Sequence, residues 1–292
     1  MIEPFITALL AIIGLLFGSF AGAMVWRLRA RQLLFDKSQG EPVDAKEYIR
    51  LKPLTTQKVS TDRSRCLHCG YVLRWYDLVP LVSWVSLKGR CRSCHKRIGW
   101  LEPFIEFGTA TLFVVSYVFW PQPLVDVLSI SAFVTWLVAA VGLVILFAYD
   151  AKWFLLPDKV TWTVVVLGGV SVLLMIGQSG DIVTTLGNAA GAVAALSGLY
   201  LVLYLISKGQ WIGFGDVKLG LGLGLLLADW QLGLLALFLA NVIGCLVVLP
   251  LMVAGKVTRT THVPFGPLLI VGAIIAKLFG FWIVEWYLFV LI

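Results

Sequence analysis

Two acidic turns interrupt long apolar runs in this chain: Asp150-Ala151-Lys152-Trp153-Phe154-Leu155-Leu156-Pro157-Asp158 and Gly213-Phe214-Gly215-Asp216-Val217-Lys218. A carboxylate at the edge of a membrane-length apolar run needs a physical reason. Glycines beside it let other backbone, or a substrate, come close. Two carboxylates carried to one place by separate helices can share a proton and activate water for peptide hydrolysis. Asp150 and Asp216 are therefore the candidate catalytic pair, with Gly213, Gly215 and Lys218 in support. Asp150 follows a helix and Asp216 opens one, so the helix dipoles make Asp150 the expected holder of the shared proton. Pro157 before Asp158 and a helix after it predict that Asp158 serves as a helix N-cap, with a supporting role at most. The structural alternative is that Asp150 and Asp216 each cap a helix or pair with Lys152 or Lys218. The competing functional reading is a proton-coupled transporter, which also carries carboxylates inside the membrane.

A second constellation is Cys66-Leu67-His68-Cys69 followed by Cys91-Arg92-Ser93-Cys94. This is the paired spacing of a zinc ribbon, two knuckles that offer four thiolates to a tetrahedral ion. The segment around it has few apolar residues and so little core of its own, and structural zinc would supply the missing folding energy. A dithiol redox unit is the rival. His68 and His95 are surplus to a four-cysteine site and read as surface residues. Cys245, alone in an apolar run, reads as a small buried hydrophobe.

These residues must be positioned by membrane helices. The 292 residues are 60% hydrophobic and 13% charged, with a mean hydropathy of +0.93, far too apolar for a soluble domain. Residues 27–100 hold 16 Lys and Arg against 6 Asp and Glu, a net +10, and the rest of the chain holds 7 against 10, a net −3. A basic segment between apolar spans marks the cytoplasmic face and contact with lipid headgroups. No recognition motif accompanies the charge, so nucleic-acid binding is not expected. The expected fold is an all-α polytopic membrane protein of about eight spans. The first covers roughly 5–26 and stops at Arg27, Arg29 and Arg31; residues 36–64 read as an irregular loop, and the cysteine unit covers 65–100. Further spans follow at roughly 103–120, 124–149, 159–177 and 182–206, then a short one between Asp216 and Asp229, then 231–254 up to Lys256 and Arg259, and a last from Pro267. Lys152, Lys159, Lys208 and Lys218 all fall on the cytoplasmic side in this threading. Lys277, inside the last span, is expected to snorkel to the outer headgroups. Trp26, Trp120, Trp153, Trp162, Trp211 and Trp230 fall at span ends, as an aromatic belt would place them. Gly220 and Gly224, one turn apart, predict close helix packing.

The two acidic turns, together with Gly18-Ser19-Phe20, the cysteine pairs around Pro80-Leu81-Val82-Ser83-Trp84, Glu106 and Pro264-Phe265-Gly266-Pro267, resemble the bacterial type IV prepilin peptidases, membrane aspartic proteases of the G-x-G-D class. The resemblance runs in order through nearly the whole chain. It implies that Asp150 and Asp216 cut a short basic leader after a glycine from prepilin or pseudopilin precursors, which serve pili, secretion machines or DNA uptake, at the bacterial inner membrane. It also implies N-methylation of the new N-terminal residue with S-adenosylmethionine, although no glycine-rich nucleotide fingerprint is present. The corresponding division is 1–26 as a first span, 27–100 as a cytoplasmic zinc-binding and methyltransferase-associated insert, and 101–292 as the peptidase domain. The chain departs from the family pattern at Gly22, usually Asn, at Arg29, usually Pro, and in the insert before Cys66.

Overall fold

From Phe5 to Ser38 the sequence has no proline, and the computed structural model, which describes residues 2–55, 63–255 and 263–291, carries one helix, α1, through Ile2–Ser38. The expected stop at Arg27 does not occur. Ala30 and Leu33 continue an apolar stripe and are each 2% exposed, so the helix persists until Gly40 ends it in the left-handed region at φ 79°. The stretch expected to be irregular also holds a short helix, α2 (Ala45–Leu51), because Asp44 caps it by accepting from the backbone of Lys46 and Glu47. After α3 (Val82–Ser86) and the cysteine unit comes α4 (Leu101–Val118). A Cβ at Gly14 would lie 2.6 Å from Ala110 Cα, and one at Gly18 would lie 2.6 Å from Glu106 Cα. Helices α1 and α4 therefore meet backbone to backbone, as small residues one turn apart allow.

Two compact units make up the chain, Met1–Val114 and Val115–Ile292. The second begins with the end of α4 and continues with α5 (Val127–Trp153), α6 (Asp158–Ser179) and α7 (Ile182–Val193). A π-helical turn at Ala194–Gly198 joins α7 to α8 (Leu199–Ser207), and then come α9 (Phe214–Leu227), α10 (Trp230–Val253) and α11 (Phe265–Leu291). Asp126, Asp181 and Asp229 cap α5, α7 and α10. Asp126 moves the start of α5 from the expected 124 to Val127, and the helix runs on past Asp150 to Trp153. Among the described residues no strand forms, and seven helices are long and apolar enough to cross a membrane. The protein is a multi-pass membrane protein. Lys256 and Arg259, expected to close the span at 231–254, lie outside the described residues.

The expected span missing from these seven is the short sixth one, α9, and its 14 residues reach only about 21 Å at 1.5 Å per residue, less than a bilayer's hydrocarbon core. It packs against α6, α7, α8, α10 and α11, with Leu219, Leu223, Leu226 and Leu227 all 2% exposed or less. Its glycines admit those neighbours: a Cβ at Gly220 would lie 2.5 Å from the Leu196 carbonyl oxygen, and one at Gly224 would lie 2.8 Å from Val193 Cα. A short helix ending among apolar side chains leaves its last carbonyls without partners. Lys277 of α11 meets that need, donating to the Leu226 carbonyl at 3.1 Å with its ammonium 5.7 Å from the Trp120 ring centre. Lys277 thus faces the bundle interior and does not snorkel outward, because the negative end of α9 is its nearest partner. Cys245 also departs from expectation. It lies on an exposed side of α10, whose buried face is built from Gly233, Ala236 and Ala240.

Gly220→Ala is expected to lower stability by about 1–3 kcal/mol, the usual cost of overpacking against atoms that cannot retreat. Gly169→Ala, where a Cβ would meet nothing within 4 Å, should match or exceed the parent. Thermal unfolding in detergent compares the two.

Candidate functional site

Asp150 lies in the last turn of α5 and is 5% exposed. Its carbonyl accepts from the N–H of Phe154, which turns left-handed at φ 57° and ends the helix. Its carboxylate accepts a backbone hydrogen bond from Gly266, in the first turn of α11. A Cβ at Gly266 would lie 2.6 Å from Asp150 Oδ2, so only glycine lets that N–H reach the acid. Asp216, half-buried, stands three residues after Gly213, the N-cap of α9. Its backbone N–H donates to the Gly213 carbonyl at 3.1 Å, and its carboxylate accepts from the Gly213 N–H. This is the returning half of a capping box.

Each carboxylate therefore sits at the N-terminus of a helix, where backbone N–H groups lack helical partners and the dipole is positive. The positive end of α11 offsets the negative end of α5 at Asp150, and the expected assignment of the shared proton to Asp150 loses its basis. The two acids are near enough for the charge of one to act on the other. Gly215 brings the two acidic turns together, since a Cβ there would lie 3.3 Å from Leu156 Cβ.

Asp158 is not the cap of α6. Pro157 holds that position, and Asp158 is the first helical residue, its carboxylate paired with the Lys218 ammonium. Lys218 is thus engaged by Asp158, and this ion pair joins the starts of α6 and α9. The expected glycines, acids and lysine of the two turns come together. Gly266 and Tyr200, whose hydroxyl feels the charge of Asp216, were given no individual role by the sequence. The Pro264-Phe265-Gly266-Pro267 stretch pointed to the first, while Tyr200 had no signal.

In the first unit, motif segments far apart in sequence also meet. Glu106, 9% exposed, accepts from the Leu81 N–H at 2.8 Å and from the Ser19 side chain. Leu81 is itself left-handed at φ 57°. Trp26 lies within α1, which continues past it to Ser38; it is 9% exposed and donates to Glu102 at 2.9 Å. Of the two departures in α1, Arg29 pairs with Glu47 of α2 at 2.7 Å, and a Cβ at Gly22 would meet nothing within 4 Å.

The four cysteine sulfurs Cys66, Cys69, Cys91 and Cys94 lie within 4.8 Å of one another. Cys66 Sγ is 3.9 Å from Cys94 Sγ, and Cys69 Sγ is 4.0 Å from Cys91 Sγ. A tetrahedral zinc ion with bonds of about 2.3 Å sets sulfurs about 3.8 Å apart, so the set fits such an ion. The two knuckles repeat one design. Cys66 N–H donates to Tyr71 and Cys91 N–H to Lys96, both at 2.9 Å, and the residue after each second cysteine is left-handed. That residue is Gly70 in one knuckle and His95 in the other, at φ 72° and 55°. His68 and His95 are exposed, as expected. Asp77 holds the second knuckle, accepting from Arg92 Nε at 2.7 Å. Burial pushes the Cys66 thiol up to about 12, whereas the Tyr71 backbone holds Cys69 down to about 7. Ionising all four sulfurs together requires a cation between them. Elemental analysis is expected to find one metal ion per chain, and Cys91→Ser to lose it and make residues 65–100 protease-sensitive.

Residues 12–120 match the model of the bacterial peptidase A24 N-terminal domain, and residues 137–249 match that of the type IV leader peptidase family. A prepilin leader peptidase/N-methyltransferase of Pseudomonas putida is 32% identical over 95% of this chain and 92% of its own length. One of the same name from Pseudomonas aeruginosa is 30% identical over 95% and 91%. A type 4 prepilin-like proteins leader peptide-processing enzyme of Escherichia coli O78:H11 is 31% identical over 89% of each chain. No solved structure matches. With relatives of this identity aligned along nearly its whole length and a family model on each half, the chain belongs to the type IV leader peptidase family.

Proposed function

We propose that this protein is a membrane aspartic endopeptidase that removes the basic leader from prepilin or pseudopilin precursors and N-methylates the residue so exposed. The observation that carries the peptidase reading is the convergence of two carboxylates, Asp150 and Asp216, each at a helix N-terminus within an apolar bundle. Like charges this close favour a state in which one proton is shared. The ionised acid then takes a proton from water as its oxygen adds to the scissile carbonyl carbon. The protonated acid gives its proton to the amide nitrogen, and the C–N bond breaks to leave a carboxylate on the leader and a free amine on the mature chain. Lys218 and Asp158 hold the two turns, and Gly213 and Gly215 let them close on each other.

The cytoplasmic membrane, with the acids and the basic insert on the cytoplasmic side, is the proposed setting. It is supported by Lys152, Lys159, Lys208 and Lys218 at the acidic ends of the spans and by the absence of Lys and Arg from 121–123, 178–181 and 229–231. The substrate would keep its basic leader in the cytoplasm and its apolar segment among the helices and lipid. Residues 27–100 are assigned to the metal-binding, methyltransferase-associated insert and 101–292 to the peptidase. Zinc is the proposed metal at Cys66, Cys69, Cys91 and Cys94, tying the two knuckles into one folded unit. S-adenosylmethionine is the proposed methyl donor, in keeping with the N-methyltransferase name of the relatives. The described residues form no strand, and so no strand-to-helix cradle of the common nucleotide-binding kind for its adenosyl group. The transporter alternative has no support in these relatives.

Intact mass spectrometry of a prepilin incubated with the purified protein tests both activities. Loss of the leader is expected without S-adenosylmethionine, and loss of the leader plus one methyl group with it. Asp150→Asn and Asp216→Asn should each lower cleavage by at least about 10³-fold with folding intact, as removal of a core catalytic group does; substantial cleavage by either would end the reading. Gly266→Ala should lower the cleavage rate by about 10²-fold, because displacing a reacting group by even 1 Å costs that much. Unchanged turnover in that variant would show that Asp150 does not depend on the Gly266 amide.

A further inference from the structure

The π-helical turn at Ala194–Gly198 lies against the first turns of α9. Ser197 Oγ donates to the Val217 carbonyl at 2.9 Å, and the Leu196 carbonyl faces Gly220. Val217 is the residue after Asp216. Single π turns within α-helices shift the register of the next turn and recur at functional sites. In this chain the next turn carries Tyr200, 4% exposed, its ring 5.3 Å from that of Phe265 in an edge-on arrangement. Phe265 opens α11 and precedes Gly266, the donor to Asp150. The Tyr200 ring therefore touches the element that holds one acid, while its hydroxyl feels the charge of the other.

That hydroxyl is buried and has no hydrogen-bond partner among the described residues. A buried hydroxyl left unpaired is costly, and phenylalanine would fill the same space without the cost. Tyr200 lies close to Asp216 yet is not bonded to it, so its one strong donor is free to meet a group that arrives with the substrate. Hydrolysis of a peptide bond brings such a group. When water adds to the carbonyl carbon, the carbonyl oxygen takes on negative charge, and neither Asp150 nor Asp216 can stabilise an anion by charge. A fixed donor aimed at that oxygen can.

We propose that Tyr200 is a further catalytic residue of this site, whose phenol hydroxyl donates a hydrogen bond to the scissile carbonyl oxygen and holds it as negative charge develops. The phenol keeps its proton throughout; the protons that move are those of water and the aspartate pair. The inference rests on the peptidase reading above. It also implies that the hydroxyl is held at a cost to stability that turnover repays.

Tyr200→Phe removes the hydroxyl and keeps the ring on Phe265. Steady-state cleavage of a prepilin by the full-length protein in detergent or liposomes, with thermal unfolding in parallel, is the test. The expected result is a kcat about 10²–10³-fold lower, the usual cost of one such donor, a KM within about 2-fold and a melting temperature equal to or above the parent's. A purely structural tyrosine predicts the reverse, a lower melting temperature with kcat retained. A kcat within about 3-fold of the parent, or a loss of activity matched by a loss of folded protein, would overturn the proposal. Asp216→Asn run alongside separates the two readings. Parent cleavage that is lost in Asp216→Asn but kept in Tyr200→Phe overturns Tyr200 alone, whereas a parent that leaves every precursor intact overturns both.

Discussion

A carboxylate inside an apolar bundle must be met by donors, and in the second unit the donors come from the starts of helices. An α-helix leaves its first N–H groups without partners of its own, so a helix that begins inside the bundle brings a ready anion site with it. Asp150 uses the start of α11 through Gly266, and Asp216 uses the start of α9 through Gly213. Among the described residues no ion pair to either acid is formed, and Lys218 is held by Asp158. Partial charges from backbone suit the proposed proton-sharing pair, because a lysine or arginine at hydrogen-bond distance would fix one carboxylate as the anion.

The same constraint explains the far end of α9. A helix of 14 residues cannot carry both its ends to water, and the end away from Asp216 must find donors within the protein. Lys277 supplies one at Leu226. Glycines along α9 let the neighbouring helices close on it at backbone distance, so the helix that carries Asp216 is fixed by packing on its sides and by hydrogen bonds at both ends. Rigid placement of this kind is what a catalytic pair needs, since rates fall steeply when reacting groups shift.

In the first unit the cysteine segment meets a different shortage. Residues 63–100 hold few buried apolar side chains, Pro80 and Cys91 among them. The knuckles are tied instead by repeated backbone hydrogen bonds, by the Asp77–Arg92 pair and by a sulfur set of the right size for a metal ion. Coordination of an ion there would replace the hydrophobic core that so short a segment cannot assemble.

Composition and hydropathy were enough to establish a multi-pass helical membrane protein, because lipid leaves a spanning chain few alternatives to helix. Spacing was enough for the four-cysteine cluster, and length alone showed that the span after Asp216 must be short. The two aspartates were legible as ionisable groups at apolar boundaries. What the sequence left open was how distant segments meet. Lys277 was read as an outward cation and Asp158 as a cap because a linear reading sees only local neighbours, and the Leu226 carbonyl and Lys218 are far away along the chain. The end of α1 was misplaced because charge marks the edge of a membrane but does not break a helix. Gly266 and Tyr200 could be tied to the aspartates only by tertiary structure: a backbone N–H has no side chain to announce it, and a tyrosine in an apolar helix looks like core until its hydroxyl is found without a partner.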